Sequence, residues 1–177
     1  MKRYVISDLH LGHEAILNDR TEFDTLYDMN STIINNWNSV VTPQDQVYIL
    51  GDVAWQHGTL QYIGDMNGKK ILIKGNHDIF PLKYYLPYFN DIRAVMEYKG
   101  CILTHVPVHE SQLKGFKINI HGHLHGKKIF KNVISVDNDG YFNLMSVDNR
   151  YINVCCEQVN YTPVLLEDII NDNDTRD

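Results

Sequence analysis

Three histidines alternate along the stretch INIHGHLHGKK, at His121, His123 and His125. In a β-strand, alternate side chains point to the same face, so the three imidazole rings would stand in a row. Imidazole is the side chain that most often binds metals in proteins. The spacing therefore indicates a metal site, but it does not choose between the pair His121 and His123 and the pair His123 and His125.

Side chains of the same ligand types follow other apolar runs. The runs YVIS, QVYIL, KILIK and CILT are followed in turn by Asp8-Leu9-His10, Gly51-Asp52, Gly75-Asn76-His77-Asp78 and His105. In open α/β sheets, sites form beyond the carboxyl ends of the strands. A single Asp, Asn or His after a strand is most often a turn or surface residue. The agreement of all these clusters nevertheless favours one shared site.

The ligand chemistry is consistent with two metal ions. Carboxylate, amide and imidazole groups without thiolate favour first-row divalent ions over a structural zinc site of the cysteine type. The set is too large for one ion and suits two, which can clamp both oxygens of an in-line phosphoryl displacement. Two divalent ions outweigh the charges of Asp8 and Asp52, so an anionic ester can bind although the chain has a net charge of −6.

Amphipathic and apolar stretches supply the elements that must position these residues. Helical spacing predicts a helix between the first two strands, with an apolar stripe formed by Leu26, Met29, Ile33, Trp37 and Val40. A short helix is predicted from Leu60 to Met66, and a last one over VLLEDII, opened by Pro163. Further strands are expected at AVMEY, KINIH, VISV and YINVCC. Helical crossovers followed by closely spaced strands predict a mixed α/β fold.

Length and composition limit the class of protein. The 177 residues suit a single domain spanning 1–177, and the acidic tail at about 172–177 is expected to fray. No apolar run approaches membrane-spanning length and no signal peptide is apparent, so a cytoplasmic protein without a membrane partner is expected. Three cysteines without a CxxC pair predict reduced, buried thiols. The sparse basic residues argue against long nucleic acid as a partner.

The motifs together resemble the calcineurin-like metallophosphoesterase superfamily. Its pattern is D-x-H, G-D, G-N-H-[DE], a separate H and G-H-x-H, and this chain matches it in order and rough spacing from Asp8 to His125. The length is similar to that of the small, cap-less bacterial and phage members. The resemblance implies an α/β fold, a four-layer αββα sandwich of two mixed β-sheets flanked by helices.

The resemblance also implies roles for individual residues. The first metal ion would be held by Asp8, His10, Asp52 and His125, and the second by Asp52, Asn76, His105 and His123. In the family, a metal-bridging hydroxide attacks the phosphorus. His77 would protonate the leaving oxygen or steady the phosphate, and Asp78 would orient its ring. Gly122, which precedes the ligand pair in the family motif, selects His123 and His125 and leaves His121 a hydrogen-bonding or packing role.

Departures from the family pattern narrow the expected activity. Protein phosphatases of the superfamily continue G-D-x-x-D-R-G and clamp a phosphomonoester with arginines, whereas this chain reads GDVAW. Nuclease members carry extra domains and basic surfaces. We therefore expect a phosphodiesterase for a small or nucleotide-like substrate, with a phosphatase on the same site or a non-catalytic interaction module as alternatives.

Two divalent ions are the expected cofactors, manganese first, with nickel, iron, zinc or magnesium as alternatives. His13, Trp55 and His109 are candidate substrate contacts, since they follow the ligand motifs in the chain. Surface or packing roles are the alternative for each of these side chains.

Overall fold

Two mixed β-sheets form the centre of the protein, whose computed structural model describes residues 1–137 and 140–174. The first sheet has the order β11-β1-β2-β3-β4, with β1 Arg3–Ile6, β2 Gln46–Ile49, β3 Lys69–Ile73, β4 Asp91–Arg93 and β11 Val164–Leu165. The second has the order β10-β7-β6-β5, with β5 Met96–Tyr98, β6 Cys101–Thr104, β7 Ile118–His121 and β10 Tyr151–Asn153. Strands β8 Phe130–Asp137 and β9 Gly140–Val147 pair as a separate hairpin.

Strand direction brings the carboxyl ends of several strands together. In the first sheet β1 to β4 run parallel and β11 pairs antiparallel with β1. In the second, β6, β7 and β10 run parallel and β5 is antiparallel. Both sheets are therefore mixed, as predicted.

Alternation along the strands builds two apolar layers. Val5, Tyr48 and Ile71 face the second sheet, where they meet Leu103 and Ile120 in one buried cluster. The intervening side chains of β1 and β2 pack on the other face of the sheet, because successive residues of a strand point to opposite faces. The core between the sheets thus fixes how the two sets of strand ends face each other.

The α-helices are α1 Leu26–Val40 and α2 Leu166–Asp174. The chain also forms 3₁₀ helices at Glu14–Asn18, His57–Asp65, Leu82–Tyr84, Glu110–Gly115 and Cys156–Gln158. The Thr25 hydroxyl accepts from the N–H of Asp28 and caps α1, whose Met29, Ile33 and Trp37 are buried on the first sheet. The predicted stripe is confirmed. None of the helices in the part of the chain that the structure describes is long and apolar enough to cross a membrane.

A loop and a 3₁₀ helix pack on the outer face of the second sheet. The expected αββα sandwich would have an α-helix in this layer. Leu113 of the 3₁₀ helix Glu110–Gly115 is buried, and the Tyr151 hydroxyl donates to the carbonyl of Val108. The Asn119 side chain, fully buried, accepts from the N–H of Val108. These contacts hold the fourth layer to the sheet.

Some element boundaries differ from the predicted ones. The helix expected at Leu60–Met66 is a 3₁₀ helix that begins at His57, and Pro163 precedes strand β11 rather than opening the last helix. Helix α2 continues to Asp174, beyond residue 172, where fraying was expected. Residues 175–177 lie outside the described part of the chain.

Candidate metal centre

The predicted ligands lie in loops that follow strands of both sheets. Strands β1, β2 and β3 lead to the clusters that begin at Asp8, Asp52 and Asn76, while β6 and β7 lead to His105 and His123. Non-glycine residues rarely adopt positive φ, and where they do a functional constraint is a common cause. The φ angles are 58° for Asp8, 51° for His10, 53° for Asp52, 68° for His123 and 49° for His125.

Two glycines allow these loops to lie against one another. A Cβ atom at Gly122 would collide with the Ser7 hydroxyl and the Asp8 carboxylate. At Gly75 it would collide with the carboxylate of Asp52. The backbone of each loop touches a carboxylate of another, and only glycine leaves room for this approach.

The first cluster joins Asp8, His10 and His125. The Oδ1 atom of Asp8 lies 3.7 Å from Nε2 of His10 and 3.8 Å from Nε2 of His125. Both Asp8 Oδ1 and His10 Nε2 are buried without a hydrogen-bond partner among the described residues. Because unpartnered buried polar atoms are costly, their convergence fits a cation at this point.

The opposite oxygen of Asp8 is held by the protein. Oδ2 accepts from the Ser7 hydroxyl, from the N–H of His123 at 2.9 Å and from the Cys155 thiol at 3.2 Å. Burial raises the pKa of Asp8, but interactions with His10, His105 and Ser7 outweigh it and leave this pKa below its usual range. The carboxylate is therefore ionised and oriented with Oδ1 toward the cluster.

The second cluster joins Asp52, His105 and His123. The Nδ1 atom of His105 donates to the carbonyl of Leu50 at 2.7 Å, so the lone pair in the neutral form of the ring is on Nε2. That atom lies 3.4 Å from Asp52 Oδ2 and 2.8 Å from Oδ1 of Asn76. Three electron-rich atoms converge here, an arrangement that a divalent cation stabilises.

Asp52 lies between the two clusters. Its Oδ2 atom is 3.8 Å from Nε2 of His10 in the first and 3.4 Å from Nε2 of His105 in the second. Its Oδ1 atom accepts from the N–H of His77 at 2.9 Å. Burial raises the pKa of Asp52, but interactions with His105 and His77 outweigh it, so the net shift is downward. The position suits a carboxylate shared by two ions.

Glu157 and Arg20 support the first cluster, and sequence reasoning missed both. Glu157 Oε1 accepts from Nδ1 of His125 at 3.0 Å and from Nε of Arg20 at 2.8 Å. The Arg20 guanidinium, fully buried, also donates to the carbonyls of Asp8 at 2.6 Å and Leu9 at 3.1 Å. A carboxylate behind a ligating histidine fixes the ring and its tautomer. The apolar run YINVCC before Glu157 was a usable signal for it, whereas Arg20 had none.

Asp78 lies between two of the candidate ligand loops. It was expected to orient the ring of His77, but in the described structure its carboxylate accepts from the N–H groups of Asp52 at 2.9 Å, Val53 at 3.0 Å and Gly75 at 2.8 Å. Burial raises the pKa of Asp78, which is 1% exposed. The residue joins two ligand loops through their backbones.

Two of the candidate substrate contacts, His13 and Trp55, stack on each other near the first cluster. His13 stacks on Trp55, with ring centroids 3.7 Å apart, and lies 5.3 Å from the ring of His10. His77 is exposed and its ring lies 5.9 Å from that of His10. The Nδ1 atom of His109, the third candidate, accepts from the N–H of Ser111 and caps a 3₁₀ helix.

His121 lies in β7 and apart from both clusters. It is 1% exposed, and its Nδ1 donates to the carbonyl of Gly122 at 2.8 Å. We expect His121→Ala to weaken metal binding less than about tenfold, because His121 belongs to neither cluster. His123→Ala should weaken it more than about a hundredfold, beyond the roughly 10- to 100-fold that groups orienting a ligand contribute. Titration of metal-free protein with manganese measures both. Equal losses in the two variants would contradict this assignment, provided that thermal unfolding shows each metal-free variant to be folded.

Comparison with known proteins identifies relatives over the whole chain and over part of it. The uncharacterized protein MJ1445 of Methanocaldococcus jannaschii is 32% identical over 176 residues, which cover 96% of this chain and 89% of the relative. The Gene 66 protein of Mycobacterium phage L5 is 40% identical over 77 residues, 41% of this chain and 37% of the phage protein. No family model matches the chain.

Solved structures show that the fold occurs elsewhere. The protein of unknown function AQ665 from Aquifex aeolicus superposes with a TM-score of 0.70 and 25% identity, covering 96% of this chain and 98% of that one. A distant structural neighbour is a metallophosphoesterase from Sphaerobacter thermophilus, with a TM-score of 0.39 and 14% identity over 86% of this chain and 75% of that one. The last likeness is too weak to assign a function.

Proposed function

The chain belongs to the same family as the Methanocaldococcus jannaschii protein MJ1445, and we propose that it is a phosphodiester hydrolase that depends on two divalent metal ions. The observation that carries this proposal is the pair of Asp and His clusters with Asp52 between them. The buried, unpartnered atoms of Asp8 and His10 make the first cluster an incomplete site without a cation.

The residues present fit two ions. Asp8, His10, Asp52 and His125 would hold the first, and Asp52, Asn76, His105 and His123 the second. When bound, such ions neutralise the phosphate charge and lower the pKa of the attacking water. Manganese is the ion expected first, because the donors are oxygen and imidazole without thiolate.

His77 is proposed as the group that meets the leaving oxygen. Its backbone N–H donates to Asp52, so the residue is fixed to the metal centre while its ring stays exposed. An imidazole in this position donates a proton or a hydrogen bond to an oxygen of the phosphoester. Asp78 contributes by holding the loops of Asp52 and Gly75 together.

The four arginines of the described residues each contact another side chain of the protein, which favours a diester over a monoester as the substrate. A phosphomonoester dianion is usually met by arginine forks, which bind its oxygens in pairs. In residues 1–137 and 140–174 the arginines contact other groups: Arg3 with Tyr98, Arg20 with Glu157, Arg93 with Asp91 and Arg150 with Asp148. We therefore propose a small or nucleotide-like diester as the substrate. We also propose that the enzyme is a single domain and cytoplasmic.

The test compares two aryl substrates on protein loaded in turn with manganese, nickel, iron, zinc and magnesium. We expect faster hydrolysis of bis(p-nitrophenyl) phosphate than of p-nitrophenyl phosphate. His77→Asn should lower kcat about 10²- to 10⁴-fold with two ions still bound, because only the proton donor is lost. His57→Asn is the control, since that exposed ring stacks on Tyr84 at 4.8 Å.

Each other outcome selects an alternative. Faster turnover of the monoester would favour a phosphatase on the same site. No turnover by protein that carries two ions of any of these metals would exclude the hydrolase and favour a non-catalytic interaction module.

A further inference from the structure

The rings of His13, Trp55 and His77 lie next to one another beside the first metal cluster. The ring of Trp55 is parallel to that of His13 within 6°, at a centroid distance of 3.7 Å, and lies 5.1 Å from the ring of His77. His13 and His77 in turn lie 5.3 Å and 5.9 Å from the ring of His10. Trp55 therefore contacts two rings, His13 and His77, that both neighbour the proposed metal ligand His10.

The Trp55 side chain is exposed in a way that packing does not explain. It is 43% exposed, whereas the chain's other tryptophan, Trp37, is fully buried and donates to the carbonyl of Asn67. Large aromatic side chains gain most of their stabilisation by burial, so an exposed one beside a cleft is informative. His13 stacks on one face of the ring, and the exposed surface that remains is accessible to a second flat group.

The position of the Trp55 ring is held by its neighbours. The backbone N–H of Trp55 donates to the carbonyl of Leu11 at 2.9 Å, next to a parallel bridge between Leu11 and Ala54, so the backbone that carries the ring is fixed. Stacking on His13 restricts the side chain as well. A ring fixed in advance loses little conformational entropy when a second ring is placed on it.

We propose that Trp55 is the stacking surface for an aromatic group of the substrate, so that the substrate is a nucleotide or an aryl ester rather than an alkyl phosphodiester. The inference rests on the proposed function, since the metal centre has to place the phosphate while Trp55 receives the ring. Stacking accepts any flat aromatic group, because every base has a π-face. Trp55 therefore selects the class of substrate without reading a particular base.

The experiment measures binding of two phosphate ligands to the manganese-loaded full chain by calorimetry. Adenosine 5′-monophosphate carries a base and ribose 5-phosphate does not. We expect the nucleotide to bind about tenfold more tightly, the lower part of the range for one stacked base. The nucleotide should also quench the fluorescence of Trp55. In Trp55→Phe, where Trp37 is the remaining tryptophan, it should leave the fluorescence unchanged.

Variants separate the ring from the fold. Trp55→Leu should lower the affinity for the nucleotide to that for ribose 5-phosphate with two manganese ions still bound, whereas Trp55→Phe should keep most of the difference. Tyr27→Ala, which removes a 78% exposed ring on α1, is the matched control and should change neither affinity.

Two results would overturn the inference in distinguishable ways. Equal affinities of the wild-type protein for both ligands, or unchanged nucleotide binding by Trp55→Leu, would overturn the stacking role and leave the proposed hydrolase intact. Binding of neither ligand by protein that carries two ions would overturn both, because a phosphoester site must hold phosphate.

Discussion

Asp52→Asn is expected to leave at most one tightly bound metal ion per chain and to lower kcat for a diester on the order of a thousandfold. The substitution keeps the shape of the side chain and the acceptor for the N–H of His77. It removes the negative charge that lies 3.8 Å from His10 Nε2 and 3.4 Å from His105 Nε2. Loss of one ion forfeits several kcal/mol of transition-state stabilisation, and each 1.36 kcal/mol corresponds to about tenfold in rate.

Metal analysis after dialysis, together with the rate on bis(p-nitrophenyl) phosphate, checks this expectation. Asp91→Asn is the control, because that carboxylate is 40% exposed and pairs with Arg93 away from the clusters. The control should keep two ions and full activity. If Asp52→Asn did the same, a shared carboxylate would be ruled out, and with it the two-ion arrangement proposed for this site.

Arg20→Met is expected to lower the free energy of unfolding by about 3–5 kcal/mol, the usual cost of breaking a buried ion pair from one side. The guanidinium is fully buried, and its loss removes these donors from the carbonyls of Asp8 and Leu9. It also leaves the Glu157 carboxylate with His125 but without its arginine. For a chain of this length the midpoint of thermal unfolding should fall by roughly 10 °C. Chelator in every sample keeps metal binding from contributing.

Two further variants show whether the loss of unfolding free energy in Arg20→Met comes from the buried ion pair. Arg93→Met removes an arginine that is 48% exposed and paired with Asp91, so it should change stability by less than about 1 kcal/mol. Arg20→Met combined with Glu157→Gln should recover part of the loss, because the carboxylate charge that has lost its arginine is then gone. A double variant as unstable as the sum of its single changes would show that the ion pair contributes nothing beyond packing.

The meeting of the candidate ligand motifs at one edge was predictable because each motif lies within a short segment of the sequence. An apolar run of strand length followed at once by Asp, Asn or His is visible in the sequence, and parallel pairing brings such ends to one edge. The structure places the three alternating histidines differently. His123 and His125 lie in separate clusters, while His121 is buried in β7.

Short elements were missed where pairing, not local preference, forms them. Strand β4 has only three residues, none of them buried, and exists because it pairs with β3. Strand β11 has two, which pair with Tyr4 and Val5 and displace the start of the last helix from Pro163 to Leu166. Neither pairing leaves a periodic pattern in the sequence, because strands this short do not complete one.

Local sequence patterns were enough to predict a mixed α/β fold and the ligand types, since strand periodicity and the residues after each strand are properties of short segments. The supporting contacts were established by packing between distant segments: Glu157 with His125, Arg20 with the loop of Asp8, and Asp78 with the loop of Asp52. Packing also placed Trp55 beside His13 and His77. Such contacts depend on how two sheets and their loops meet in space, and spacing along the chain carries no record of that arrangement.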